Sequence, residues 1–216
     1  MRRVLKASIA FVCGVSLCTI ADAALQDAKP APRPQPARQE PPKPTRKLFL
    51  LSESRSLGTL LIRPIGAQPD IPWDEWADAK GQILVPSGHD IMLTVSEEGA
   101  ADLSPLTDLK ANSLQALSLR RSGVKDGDLK NLATLTGLLE LDLRHTQIGD
   151  EGLKLLAPMQ RLRVLRLADT KVSNDGMGSV ARLEAIQMLE LPTQIDRQGL
   201  ARLAERTKLA ELILRG

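Results

Sequence analysis

Four stretches of this sequence superimpose at a fixed period, and that period constrains the fold more than any single motif. They are "LQALSLRRSGVKDGDLKNLATLTG" from Leu114, "LLELDLRHTQIGDEGLKLLAPMQR" from Leu138, "LRVLRLADTKVSNDGMGSVARLEA" from Leu162 and "IQMLELPTQIDRQGLARLAERTK" from Ile186. Successive starts lie 24 residues apart. A shorter copy, "LAELILRG", starts at Leu209, so the fourth copy has lost one residue, between Pro192 and Thr193. Each copy opens Leu-x-x-Leu-x-Leu (Ile at 186), whose last positions alternate as one apolar face of a short strand. Apolar residues three apart follow, such as Leu129/Leu132/Leu135 and Leu153/Leu156/Met159, the spacing of one helix face. No single copy can bury both faces. Stacked copies can, which predicts a solenoid with a continuous core.

Other positions recur in the same register. Asp126, Asp150 and Asn174 stand three residues before the first apolar helix residue, where a side chain caps a helix N-terminus. Gly152, Gly176 and Gly199 share a position suited to close approach of neighbouring coils, whereas the first copy has Asp128 there. Ser122, Thr146, Thr170 and Thr193 predict a ladder of hydroxyls bonded to backbone between coils.

The pattern Leu-x-x-Leu-x-Leu-x-x-Thr-x-Ile-x-Asp-x-Gly-Leu, in register over residues 90–216, resembles the leucine-rich repeats of bacterial exported proteins. The resemblance implies an α/β fold: a right-handed solenoid with a parallel sheet on its concave side and short helices on its convex side. "DIMLTVSEEGAADLSPLTDLKANS" from Asp90 reads as a degenerate first coil, with Leu93 and Val95 on strand spacing and Leu103, Leu106 and Leu109 on helix spacing. About five coils are expected, the last truncated. Residues 47–89 form a different unit, an N-terminal β-rich cap. Within it "DIPWDEWADAK" reads as one helical turn that sets Trp73 and Trp76 on one face, plugging the end of the core.

The beginning of the chain reads as targeting. Arg2, Arg3 and Lys6 precede an apolar run from Ala7 to Ile20, and Ala21-Asp22-Ala23 offers a signal-peptidase site. Residues 1–23 are therefore expected to be removed on export to the periplasm, cell envelope or extracellular space. The apolar run is short for a ~30 Å hydrocarbon layer, so no integral span is expected in the mature chain. Both cysteines, Cys13 and Cys18, leave with it. The loss of three basic residues and one acidic residue brings the product close to neutral, which argues against nucleic acid. Residues 24–46 are proline-rich and read as a semi-rigid spacer.

The sequence offers little to a catalytic reading. His89 and His145 stand alone, neither has a partner at metal-ligand spacing, and no glycine-rich phosphate loop is present. No enzyme activity, cofactor or metal is expected. Strand alternation instead brings Glu140, Asp142, Arg144, Val164, Arg166, Met188, Glu190, Glu211 and Ile213 onto the concave face. There Asp142, Arg166 and Glu190 should form an exposed ladder of alternating charge, with Val164 and Met188 as an apolar centre. The expected role is protein–protein interaction or envelope scaffolding, with a protein or peptide ligand. The edge of the final strand, with Leu212 and Leu214 turned inward, adds a place for a partner or for homodimerisation. Carbohydrate or cell-wall binding through Trp73 and Trp76 is the alternative. A substrate receptor of a ubiquitin ligase, whose repeats look similar, fits poorly with an export signal.

Overall fold

The structure, a computed structural model, describes residues 44–49, 53, 55–67, 71–204 and 209–214. The stretch read as an export signal and most of that read as a spacer lie outside these residues.

Each copy of the repeat contributes one short strand, and the strands pair in parallel. They are β6 (Ala116–Ser118), β7 (Glu140–Asp142), β8 (Val164–Arg166), β9 (Met188–Leu191) and β10 (Glu211–Leu214). Register is uninterrupted: Leu117, Leu141, Leu165, Leu189 and Leu212 stand side by side. The first four of these leucines are fully or almost fully buried, as are the helix-face residues Leu129, Leu132, Leu153, Leu156, Met177, Val180 and Leu203. Burying one such side chain stabilises by ~1.5–3 kcal/mol, so stacking alone supplies the driving force that a single coil lacks. Leu212 and Leu214 are exposed, at 40% and 55%. Their strand is the outermost of the sheet, and no helix among the described residues covers its inner face.

Each return segment is short. The first copies use a 3-10 turn at Asp126–Leu132, an α-helical turn at Asp150–Lys154, and a 3-10 turn at Asn174–Gly176 running into Met177–Val180. Only the fourth forms a two-turn helix, Arg197–Ala204.

The cap extends the same sheet. β5 (His89–Val95) pairs in parallel with β6 and antiparallel with β2 (Gly58–Pro64), and β2 in turn pairs with β3 (Asp74–Asp78). The eight strands therefore run β10-β9-β8-β7-β6-β5-β2-β3. A separate pair, β1 (Pro44–Phe49) with β4 (Gln82–Pro86), is antiparallel. β1 starts within the stretch read as spacer. The "DIPWDEWADAK" segment is a strand, not a helical turn, because it completes the edge of β2. Its register slips between Leu60 and Leu61, where Trp76 is the extra residue. Trp76 packs against the core and donates from Nε1 to Leu84 O at 3.1 Å. Trp73 lies elsewhere, so the expected pair with a common face does not form.

The recurring polar residues join coils in ways that local capping rules do not anticipate. Asp126 Oδ1 accepts from Gly149 N of the next coil at 2.6 Å, and Asp150 Oδ1 and Oδ2 accept from Ser173 N and Oγ at 2.8 and 2.6 Å. Asn174 Oδ1 accepts from Asp196 N at 3.1 Å. These side chains cap the neighbour, not their own helix. The glycines follow from this: a Cβ at Gly152 would sit 2.6 Å from Asp126 Oδ1, and Gly176 and Gly199 face Asp150 and Asn174 as closely. Asp128 replaces glycine in the first copy because that coil serves itself, accepting from Lys125 N at 2.8 Å. The residue one period before Asp126, Asp102, instead accepts from Ser104 N within its own turn.

The hydroxyls also differ from expectation. Ser122, Thr146 and Thr170 donate to Leu119 O, Leu143 O and Leu167 O of their own coils at 2.6, 2.6 and 2.7 Å. Each closes a four-residue turn whose third residue is left-handed: Arg121, His145 and Asp169 have φ of 58°, 57° and 57°. The residue missing from the fourth copy is the left-handed one, and Thr193 is exposed there.

Candidate functional site

Alternation places the candidate residues as the sequence indicated. Glu140, Val164, Met188 and Glu211 form one column across the sheet, and Asp142, Arg166, Glu190 and Ile213 form the next. Arg144 follows β7 and points along the same side, close enough to contact Asp142 and Glu190.

The ion pairing is not the expected ladder. Arg144 holds Asp142 on its own strand, with Nε 2.9 and 3.1 Å from the two carboxylate oxygens and Nη2 2.5 Å from Oδ2. This hydrogen bonding to Asp142 raises the Arg144 pKa above its usual value. Arg144 Nη1 also lies 3.5 Å from Glu190 Oε2, across the intervening strand. Arg166 turns diagonally toward Glu140 Oε2 at 3.8 Å, too far for a hydrogen bond. The reason is geometric: an arginine two residues along the strand forks onto both oxygens of Asp142, leaving Arg166 no place there. Nor is the face fully solvated, since Asp142 is 8% and Glu190 2% exposed.

Sequence reasoning missed the residues that roof the first part of this face. Leu60 and Ile62 of β2 point into the core, so Arg63 lies on the concave side. From there it reaches past β5 and β6 to Glu140 Oε1 at 2.7 Å. Small Ala116 on β6 leaves the room. Trp73 covers the pair, its ring centroid 4.2 Å from Arg63 Cζ, a cation–π contact. Ile71, Pro72 and Trp73 thus stand over the first part of the concave face and border a half-open cavity of about 280 Å³. Met92, Ala116, Ser118, Glu140, Asp142, Arg144 and Arg166 line it from below. The alternation of "LGTLLIRP" carried a signal for Arg63, but only once β2 is known to join the repeat sheet.

Among the described residues, no group of three or more His, Cys, Asp or Glu is arranged to hold a metal ion, and no helix is long and apolar enough to cross a membrane. His145 Nδ1 lies 3.3 Å from Asp169 Oδ2, a contact between equivalent left-handed residues of adjacent coils.

The family model described as "Leucine Rich repeat" matches residues 135–157, which span β7 and its return segment. The fold is a leucine-rich-repeat solenoid. Two solved structures are similar to this chain. An internalin from Listeria monocytogenes is 21% identical with a TM-score of 0.38, covering 52% of this chain and 38% of its own. The tropomodulin C-terminal domain from Caenorhabditis elegans is 17% identical with a TM-score of 0.41, covering 53% of this chain and 80% of its own. This chain thus spans well under half of the internalin. No curated protein matches it in sequence. What this face offers chemically is a surface of largely ion-paired charges around half-buried Val164 and Met188.

Proposed function

We propose that this leucine-rich-repeat protein is an exported, non-catalytic binding module that holds a protein partner on the open part of its concave sheet. The supporting observation is the composition of that part. Val164 and Met188 stand half-buried and adjacent, while Asp142 and Glu190 beside them are already engaged by Arg144. An apolar centre whose neighbouring carboxylates are already ion-paired loses little on desolvation, which is the arrangement that protein interfaces favour. Val164, Arg166, Met188, Glu211 and Ile213 form the contact area in this reading, and the cap bounds it on one side.

Affinity capture from envelope extract with the full chain as bait tests it. Wild-type protein should retain partners that Val164→Glu/Met188→Glu loses and that a convex-side change, Lys130→Glu, keeps. Identical retention by all three refutes the concave-face reading. Amino-terminal sequencing of the envelope fraction tests export, with Ala24 as the expected first residue. The edge of β10, where Leu212 and Leu214 are exposed, is a second contact for a strand of a partner or of another copy. Light scattering at high concentration separates those two. Carbohydrate binding by a tryptophan platform has less support, since Trp76 packs on the core and Trp73 lies on Arg63.

A further inference from the structure

The cavity under Trp73 is built, and its charges are unevenly committed. Its floor is low because β6 presents Ala116 and Ser118 between Met92 of β5 and Glu140 of β7. Ala116 is 1% exposed yet stands apart from the main apolar core, as a residue covered from the concave side must. Two of the three arginines are occupied: Arg63 by Glu140, and Arg144 by Asp142 and Glu190. Arg166 is the exception. Its ionic contact, to Glu140 at 3.8 Å, falls on a carboxylate that Arg63 already holds at 2.7 Å. Its side chain is also the most open of the three, at 27% against 19% for Arg144 and 10% for Arg63. Both oxygens of Asp142 accept from Arg144, and Glu140 faces two guanidinium groups. The lining carboxylates therefore have little left to offer a cation. Arg63 Nε is buried without a hydrogen-bond partner among the described residues.

We infer that this cavity receives an acidic side chain carried by an extended segment of the protein partner, its carboxylate seated on the Arg166 guanidinium and its methylene stem under Trp73. The inference rests on the protein-binding reading above and names what the partner must present. Size supports it: about 280 Å³ lies just below the ~300–1,000 Å³ range of ligand pockets, enough for a side chain or two and not for a folded element. One under-used guanidinium matches one planar carboxylate, whereas a phosphoryl group would call for more free donors. Ile71, Pro72 and Trp73 supply the apolar wall for the stem.

The test uses intrinsic tryptophan fluorescence of the full chain, titrated with acetylated, amidated pentapeptides that differ only in a central Glu or Gln. The Glu peptide should change the emission, and Trp73→Phe should abolish the change. Affinity should fall by about tenfold or more with the Gln peptide and with Arg166→Gln, as expected for a lost charge-assisted hydrogen bond. Arg166→Lys should recover part of it. Equal affinity of the Glu and Gln peptides overturns the inference, as does an Arg166→Gln protein that binds as wild type. Tighter binding of a Gln peptide with a free C-terminal carboxylate overturns the side-chain assignment in favour of a chain terminus. No emission change at millimolar Glu peptide overturns it as well. In each case partner capture through Val164 and Met188 is read separately, so the broader reading stands or falls by itself.

Discussion

Gly176 and Gly178 lie two residues apart in the same return segment, and the interlock between coils predicts opposite responses to alanine. A Cβ on Gly178 meets nothing within 4 Å, so Gly178→Ala gains only the helix preference of alanine, ~0.5–1 kcal/mol of added stability. A Cβ on Gly176 would meet Asp150 Oδ1 head-on and lie 3.1 Å from both Asp150 Cγ and Leu153 Cδ1. The carboxylate must leave, and it gives up Ser173 N at 2.8 Å and Ser173 Oγ at 2.6 Å. Hydrogen bonds to a charged group contribute ~1.5–3 kcal/mol each, and water recovers part of the loss at this half-buried site. Set against the alanine preference, the net cost of Gly176→Ala comes to ~2–4 kcal/mol. Urea denaturation followed by circular dichroism measures it. The double variant Asp150→Ala/Gly176→Ala carries the sharper test, because the clash requires both partners. It should be no less stable than Asp150→Ala alone, whereas independent effects would add. Additive losses, or a Gly176→Ala protein as stable as Gly178→Ala, would falsify the carboxylate interlock.

Other outcomes follow from the same geometry. Glu140→Gln strands the Arg63 guanidinium under Trp73; with the pair 10% and 18% exposed, the loss should be ~1–3 kcal/mol, less than for a fully buried pair. Arg63→Met combined with Glu140→Leu should regain most of that, and calorimetry that finds the double variant the weaker would refute the argument. Arg121→Asn eases a left-handed backbone at φ 58° and should stabilise by ~0.5–1 kcal/mol in thermal melts, since asparagine tolerates that conformation better than arginine. A lower melting temperature counts against it. The Gln198 amide, with Asn174 and Gly199 adding to it, holds Asp196 below its usual value of 3.8. A depressed carboxylate stabilises the fold above its unfolded pKa, and that contribution disappears as pH falls through the depressed value. Carboxyl-carbon NMR should give Asp196 a midpoint under 3.8, and a midpoint at or above it contradicts the assignment.

The solenoid was legible because its determinants are local and repeat: each Leu-x-x-Leu-x-Leu fixes a strand face without knowledge of any other segment. The concave columns followed from alternation alone, which is why Glu140, Val164 and Met188 share a file as expected. What eluded the sequence depends on distant contacts. Arg63 and Glu140 are 77 residues apart, and nothing near either one announces the other. Trp73 and Trp76 look paired on a helical turn until β2 claims the segment as an edge strand. Asp150 looks like an ordinary cap because local rules search for an amide ahead in its own helix, while its acceptors face a serine 23 positions on.

The interlock also has a direction. Asp126, Asp150 and Asn174 each hand an oxygen to the coil that follows, while the coil holding Asp126 and Asp128 has no such link from the coil before it among the described residues. Asp126 and Asp150 are the same group in the same register, so removing one 24-residue period, residues 127–150, should seat Asp126 against Gly176 with the join unchanged. The array can therefore lengthen or shorten by whole periods. That gives duplication and loss of units a ready route to a concave face of different reach.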